Sequence, residues 1–156
     1  MESNSAPDSL YGFFDDLVRC ETRLYNAVNE KLRIEHGIVA SQFEFLRYFE
    51  SHPGARVAEV AANFAAGVGA ISKGIDRLEA RGWVARHPHP TDGRSSLVSL
   101  TDAGAALVSE AKESFQALLA ELVSSELAPR QREDLGAALA TLRAALERKR
   151  IGLPVG

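Results

Sequence analysis

"ISKGIDRLEARGWVARHPHPTDGRSSLVSLTDAG", residues 71–104, decides the fold because its hydrophobic period changes twice along its length. Ile71, Ile75 and Leu78 recur at helical steps, and Ser72, Lys73, Asp76, Arg77 and Glu79 fall on the other face. Gly82 ends that helix. "WVARH" then starts an extended run, and "SLVSL" at 96–100 is a second alternating one. Two prolines and Asp92-Gly93 lie between them, which predicts a loop joining two antiparallel strands. From Thr101, a suitable N-cap, the helical period returns through Leu107, Ala111, Phe115, Leu118 and Leu122.

Upstream, Leu10, Phe13, Phe14, Leu17, Leu24, Val28 and Leu32 predict a helix over residues 8–35, with Gly37 suited to a left-handed cap. Ser41 and Glu44 stand at capping-box spacing for a second helix, and "SHPG" at 51–54 is a turn. "ARVAEVAANF" at 55–64 predicts a short third helix, and Gly67 and Gly69 open the fourth. Pro129 opens the last helix, in which Leu135, Leu139, Leu142 and Leu146 form a narrow seam. The expected fold is mainly α with a small β-hairpin wing: six helices, with the hairpin after the fourth. Residues 1–156 read as one domain, in which 38–100 form a compact lobe. The helices of 8–35 and 101–150 have apolar faces too large for that lobe to cover, which predicts a homodimer through the N- and C-terminal helices.

Composition narrows the class. The 156 residues are 46% apolar and 25% charged, ordinary values for a folded domain. One cysteine, Cys20, allows no internal disulfide and fits a reducing, cytoplasmic setting. "MESNSAPDSL" lacks a basic start and an apolar run, so no secretory signal is expected, and no membrane partner. The net charge of −3 conceals an uneven distribution. Residues 66–99 hold five basic and three acidic groups, whereas residues 1–55 hold five basic and nine acidic. No Ser-His-Asp set, carboxylate pair or metal cluster stands in a suitable loop, so neither an enzyme nor a cofactor is expected. "GVGAIS" has Ser72 where a dinucleotide fingerprint needs its third glycine, and "GAISKG" has the wrong order for a P-loop.

Two short helices, a tight turn and a hairpin are the parts of a winged helix-turn-helix, which sets one helix in the DNA major groove. Such a helix needs small residues at its start, polar or basic groups on one face and an apolar stripe on the other. Residues 66–81 meet these demands, and Asp92-Gly93-Arg94 offers a wing turn with a cation. The run also resembles the MarR family of bacterial transcription regulators. The matching elements are Ser72-Lys73, Asp76-Arg77-Leu78-Glu79, the Arg81-Gly82-Trp83-Val84 junction, Asp92-x-Arg94 and Leu100-Thr101-x-x-Gly104. The resemblance implies a homodimeric winged helix that binds a pseudo-palindromic operator in double-stranded DNA, most often as a repressor relieved by a small ligand. Half-sites would be spaced by one helical turn, about 34–36 Å.

The residues expected at the DNA are Gly67, Val68, Gly69, Ser72, Lys73 and Arg77 on the groove helix, with Arg86, Asp92 and Arg94 from the wing. By the resemblance, Asp92 braces the wing loop and Arg94 enters the minor groove. Lys73 departs from the arginine more common in the family, and lysine meets a phosphate but lacks the guanidinium's fork. Glycines 67, 69 and 74 each cost a helix roughly 0.5–1 kcal/mol, which predicts a helix that is loose until DNA orders it. Two plainer readings compete: Arg77 could pair with Asp76 or Glu79, and the His87–His89 pair could bind metal, although loop stiffening by the prolines suffices. The resemblance further implies a pocket between the dimer helices and the DNA-binding lobe. A phenolic or aromatic carboxylate effector would suit Arg19, Arg23, Tyr25, His36 and Trp83. Three alternatives stay open: redox sensing through Cys20, zinc sensing with Glu35 and His36, and a winged-helix dimerisation module without DNA binding.

Overall fold

The computed structural model describes residues 10–155, so residues 8 and 9 of the first expected helix and the N-terminal leader reading lie outside it. The elements are α1 (Leu10–His36), α2 (Ala40–Ser51), β1 (Ala55–Arg56), α3 (Val57–Asn63), α4 (Val68–Ala80), β2 (Val84–Pro88), β3 (Ser96–Leu100), α5 (Asp102–Leu119) and α6 (Pro129–Arg148). Gly37 caps α1 at φ +67°, its amide donating to the Arg33 carbonyl. Pro129 stands in the first turn of α6, and the Thr101 hydroxyl caps α5 by accepting from the Gly104 amide at 3.1 Å.

Three details differ from the sequence-based expectations. Ala55 and Arg56 are a strand rather than the start of α3. They pair antiparallel with Val98 and Leu97, making a three-stranded sheet of order β1-β3-β2. Two residues can leave the helical period because the β3 edge offers them backbone partners that a helix start would lack. The N-cap of α2 is Val39 rather than Ser41, since the Val39 and Ala40 amides are satisfied by the side chains of Gln42 and Asn29. Finally, α5 runs into a π-helical turn, Ala120–Ser124, before the chain reaches α6.

The core sits where α2, α4, β3 and α5 meet the C-terminal half of α1. Leu32, Phe43, Leu46, Phe49, Val60, Ile75, Leu78, Val84, Val98 and Val108 are all at most 2% exposed. Full burial of each such side chain is worth about 1.5–3 kcal/mol relative to leaving it in water. Ile71, Ile75 and Leu78 bury as their spacing requires.

The two ends of the chain do not follow this rule. Among the described residues α6 buries no side chain, and Leu135, Leu139, Leu142 and Leu146 are 38–50% exposed. On α1, Leu10, Tyr11, Phe13 and Phe14 are also exposed. A groove of about 970 Å³ separates α6 from the end of α3, with Phe64, Leu139, Leu142 and Leu146 among its walls.

Candidate nucleic-acid interface

Three connections position α4 and the wing. The first is the root of the wing. The Thr101 amide donates to the Trp83 carbonyl and its hydroxyl donates to the Gly82 carbonyl, fastening the α4–β2 junction to the start of α5. A Cβ on Gly104 would lie 1.9 Å from the Trp83 carbonyl oxygen, so only glycine admits this approach. Trp83 lies under the Arg81 guanidinium, 4.3 Å from its ring centroid.

The second is Arg86, which is largely buried and joins wing to helix. Its guanidinium donates to Asp76 at 2.6 Å, to the Ser72 carbonyl at 3.0 Å, to the Ser72 hydroxyl at 3.3 Å and to Ser96 at 3.3 Å. Its amide donates to Glu79. Only its Nε, buried, finds no partner. Arg86, expected at the DNA, is thus committed to holding the wing against α4. Asp76 and Glu79 are both engaged by Arg86, and Arg77 pairs with neither. Adjacent helical residues diverge in direction, so Asp76 meets the strand and Arg77 meets solvent.

The third is the wing turn. Asp92 accepts the Arg94 amide on one carboxylate oxygen and the Ser95 hydroxyl on the other. These bonds, the Arg94 amide first, hold its carboxyl below the usual range. His89 Nδ1 accepts from the Thr91 and Asp92 amides. Nε2, on the other side of the ring, meets the Arg56 guanidinium. His89 builds the turn, a role that its proline-rich setting did not signal in the sequence. Among the described residues no cluster of three metal-ligating side chains occurs.

The remaining candidates lie in the open. Gly67 is the N-cap of α4, and Gly67, Val68 and Gly69 are all exposed. An added Cβ at Gly67 or Gly69 meets nothing, whereas at Gly74 it would press on Phe45 of α2 at 3.0 Å. Gly74 therefore lets α4 lie close to Phe45, and Gly67 is the cap, which leaves Gly69 and Gly74 inside the helix. Lys73, Arg77 and Arg94 are exposed, and their side chains make no hydrogen bond or ion pair among the described residues.

The five residues expected around an effector are dispersed. A cavity of about 260 Å³ between α1, α2 and α5 has Tyr25 in its wall, but not Arg19, Arg23, His36 or Trp83. His36 instead bonds the Ser114 hydroxyl at 2.7 Å, tying α1 to α5. Glu35 pairs with Lys31, and Cys20 is exposed on α1. Glu44 and Arg47, which the sequence reading did not select, line the cavity. Their periodicity on α2 carried no sign of it.

Among the described residues no helix is long and apolar enough to cross a membrane. A sequence model of the MarR family matches residues 36–95. The multiple antibiotic resistance protein MarR of Escherichia coli is 32% identical over 118 residues, 68% of this chain and 82% of that protein. An HTH-type transcriptional repressor of Mycobacterium tuberculosis is 33% identical over 97 residues, covering 62% of this chain and 70% of the repressor. Among solved structures, an E. coli MarR mutant complexed with operator DNA superposes with a TM-score of 0.73 at 28% identity, over 86% of this chain and 99% of that one. With most of both chains aligned and the helix–wing assembly in common, this protein belongs to the MarR family of transcriptional regulators.

Proposed function

We propose that this protein is a ligand-responsive repressor that binds a pseudo-palindromic operator as a homodimer, with residues 67–77 in the major groove and the wing reaching the minor groove. The observation that carries the reading is the division of labour among cations. Arg86 spends its donors inside the protein, whereas Lys73, Arg77 and Arg94 stand on the two elements it joins with their donors free for DNA. The E. coli relative complexed with operator DNA supports the partner, and the mycobacterial repressor supports the direction of control. Asp92 acts by shaping the turn that presents Arg94, and Ser72 and the Gly67–Gly69 backbone lie close to the groove.

Lys73 should act on phosphate, because its single ammonium cannot fork onto a base. Lys73→Ala is expected to weaken operator and unrelated duplexes by the same factor and to reduce the salt slope by about one unit. Gel-shift titrations at several salt concentrations check this. A loss confined to one base position would assign Lys73 to base reading instead.

The exposed leucines of α6 and the apolar start of α1 support the dimer, with residues 8–35 and 101–150 forming the interface and 38–100 the DNA-binding lobe. Leu142→Asp combined with Leu146→Asp should sediment as a monomer at micromolar concentration and lose operator binding. A variant that remained dimeric would place the interface elsewhere.

For the effector, the cavity between α1, α2 and α5 is the candidate site, since it joins the long helix of the dimer region to the DNA-binding lobe. Its walls, which include Phe43 and Phe115, suit a small aromatic molecule. The family relationship points to a regulator without catalytic activity of its own.

A further inference from the structure

The cavity between α1, α2 and α5 has an unbalanced charge. Glu21 and Glu44 stand in its wall against one cation, Arg47. Glu44 is the inner of the two carboxylates, half-buried on α2, and its direct partner is the Tyr25 hydroxyl, which donates at 3.3 Å. No cation lies within ion-pair distance of it among the described residues. Arg47 is exposed, and its guanidinium is held over the rings of Phe43 and Phe115, 5.8 and 5.7 Å from their centroids. Those two rings stand 5.1 Å apart; Phe43 is buried, so the apolar surface of the cavity comes mainly from Phe115, Leu24 and Leu119.

We infer that this cavity takes a small apolar amine, its ring against Leu24, Phe115 and Leu119 and its ammonium on the Glu44 carboxylate. The inference rests on the ligand-responsive reading above and goes further by assigning the ligand its charge. A desolvated carboxylate without a cation is costly, and a ligand ammonium supplies the missing charge. A ligand carboxylate, the expectation raised by Arg19 and Arg23, would meet two negative groups and a single cation, Arg47, already held over the Phe43 and Phe115 rings, because neither Arg19 nor Arg23 reaches the cavity. At 260 Å³ the space suits a one-ring molecule, somewhat below the range of drug-sized sites.

The protonation states agree. Burial pushes the Glu44 carboxyl up, and the Tyr25 hydrogen bond and the Arg47 charge offset that rise only in part. Tyr25, pushed up to about 12 by burial and then by Glu44, keeps its proton and stays a donor. The ionisable groups facing Glu44 are Tyr25 and Glu21 from α1 and Arg47 from α2, while α5 contributes only Phe115 and Leu119 to the wall. Amine affinity should therefore rise with pH through the raised Glu44 pKa and hold until the amine itself deprotonates.

The test uses three one-ring probes that differ in charge: benzylamine, benzyl alcohol and benzoate. Each is titrated by calorimetry into the full-length protein and into Glu44→Gln, whose amide oxygen still accepts from Tyr25. Benzylamine should bind the unaltered protein tightest, on the order of tenfold better than benzyl alcohol, with benzoate weakest. Glu44→Gln should lose that tenfold for the amine alone. Benzoate binding tightest, or an amine affinity indifferent to Glu44→Gln, overturns the assignment. Equal binding of all three rejects charge selection yet leaves a ligand-responsive cavity. If none of them binds or alters operator affinity, the ligand-responsive reading of this cavity falls as well.

Discussion

Gly104→Ala is expected to lose about 3 kcal/mol of folding stability, the upper end of what overpacking usually costs. For a chain of this length, the melting temperature should fall by roughly 6–12 °C. The methyl carbon would lie 1.9 Å from a main-chain oxygen, so no rotamer change relieves the overlap. Either α5 or the Gly82–Trp83 junction must move, and the Thr101 bonds to both of those carbonyls move with it. The wing is rooted there, so operator affinity should fall together with stability. Gly69→Ala provides the contrast: its Cβ meets open space, and the gain in helix propensity should raise stability by roughly 0.5–1 kcal/mol. Thermal unfolding of the two variants decides the matter. Similar behaviour would mean that the Trp83 carbonyl does not bear on Gly104.

Arg94→Ala should weaken operator binding by roughly 5- to 150-fold, the effect of about 1–3 kcal/mol in a specific DNA contact. Its stability should stay within about 0.5 kcal/mol of the parent, because the exposed side chain makes no hydrogen bond or ion pair among the described residues. Arg86→Ala should behave differently even though the same residue type is removed. It breaks the bonds to Ser72, Ser96 and Asp76, but also removes a buried Nε that has no partner, a group costing about 1–3 kcal/mol by itself. The ion pair adds little, since Asp76 is mostly exposed. A moderate loss of about 1–2 kcal/mol is the expected balance. Operator affinity should fall too, because helix and wing no longer keep a fixed spacing. Paired melting curves and salt-controlled shift assays separate the two arginines. Arg94→Ala with unaltered operator affinity would remove the wing from the interface, and Arg86→Ala with unaltered stability would remove the bracket.

The order and most limits of the elements were legible in the sequence because they depend on neighbours a few residues apart. Ile71, Ile75 and Leu78 mark the buried stripe of α4 at helical spacing, Thr101 and Gly37 act as caps through their own geometry, and Pro129 opens α6 in its first turn. The Asp92 brace is local as well, closing on Arg94 and Ser95 within three residues. β1 was not legible, since two residues carry no period and its partners lie some forty positions away on β3. The role of His89 was hidden for another reason: metal ligation, turn building and exposure all use the same residue type.

What the sequence alone determined, then, is the succession of six helices and a wing, the capping residues, and the set of cations available to a helix-turn-helix. Only the tertiary structure decided which cations remain available. Asp76 lies beside Arg77 in the chain yet pairs with Arg86, ten positions on, because α4 and β2 turn those two side chains toward each other. The same packing brings the Trp83 carbonyl onto Gly104, and sets Tyr25 of α1 against Glu44 of α2 while leaving Arg19 and Arg23 outside the cavity. Short-range sterics and hydrophobic period fix where an element lies along the chain. Which polar groups meet across elements depends on how the buried faces dock, and no single stretch of sequence contains that information.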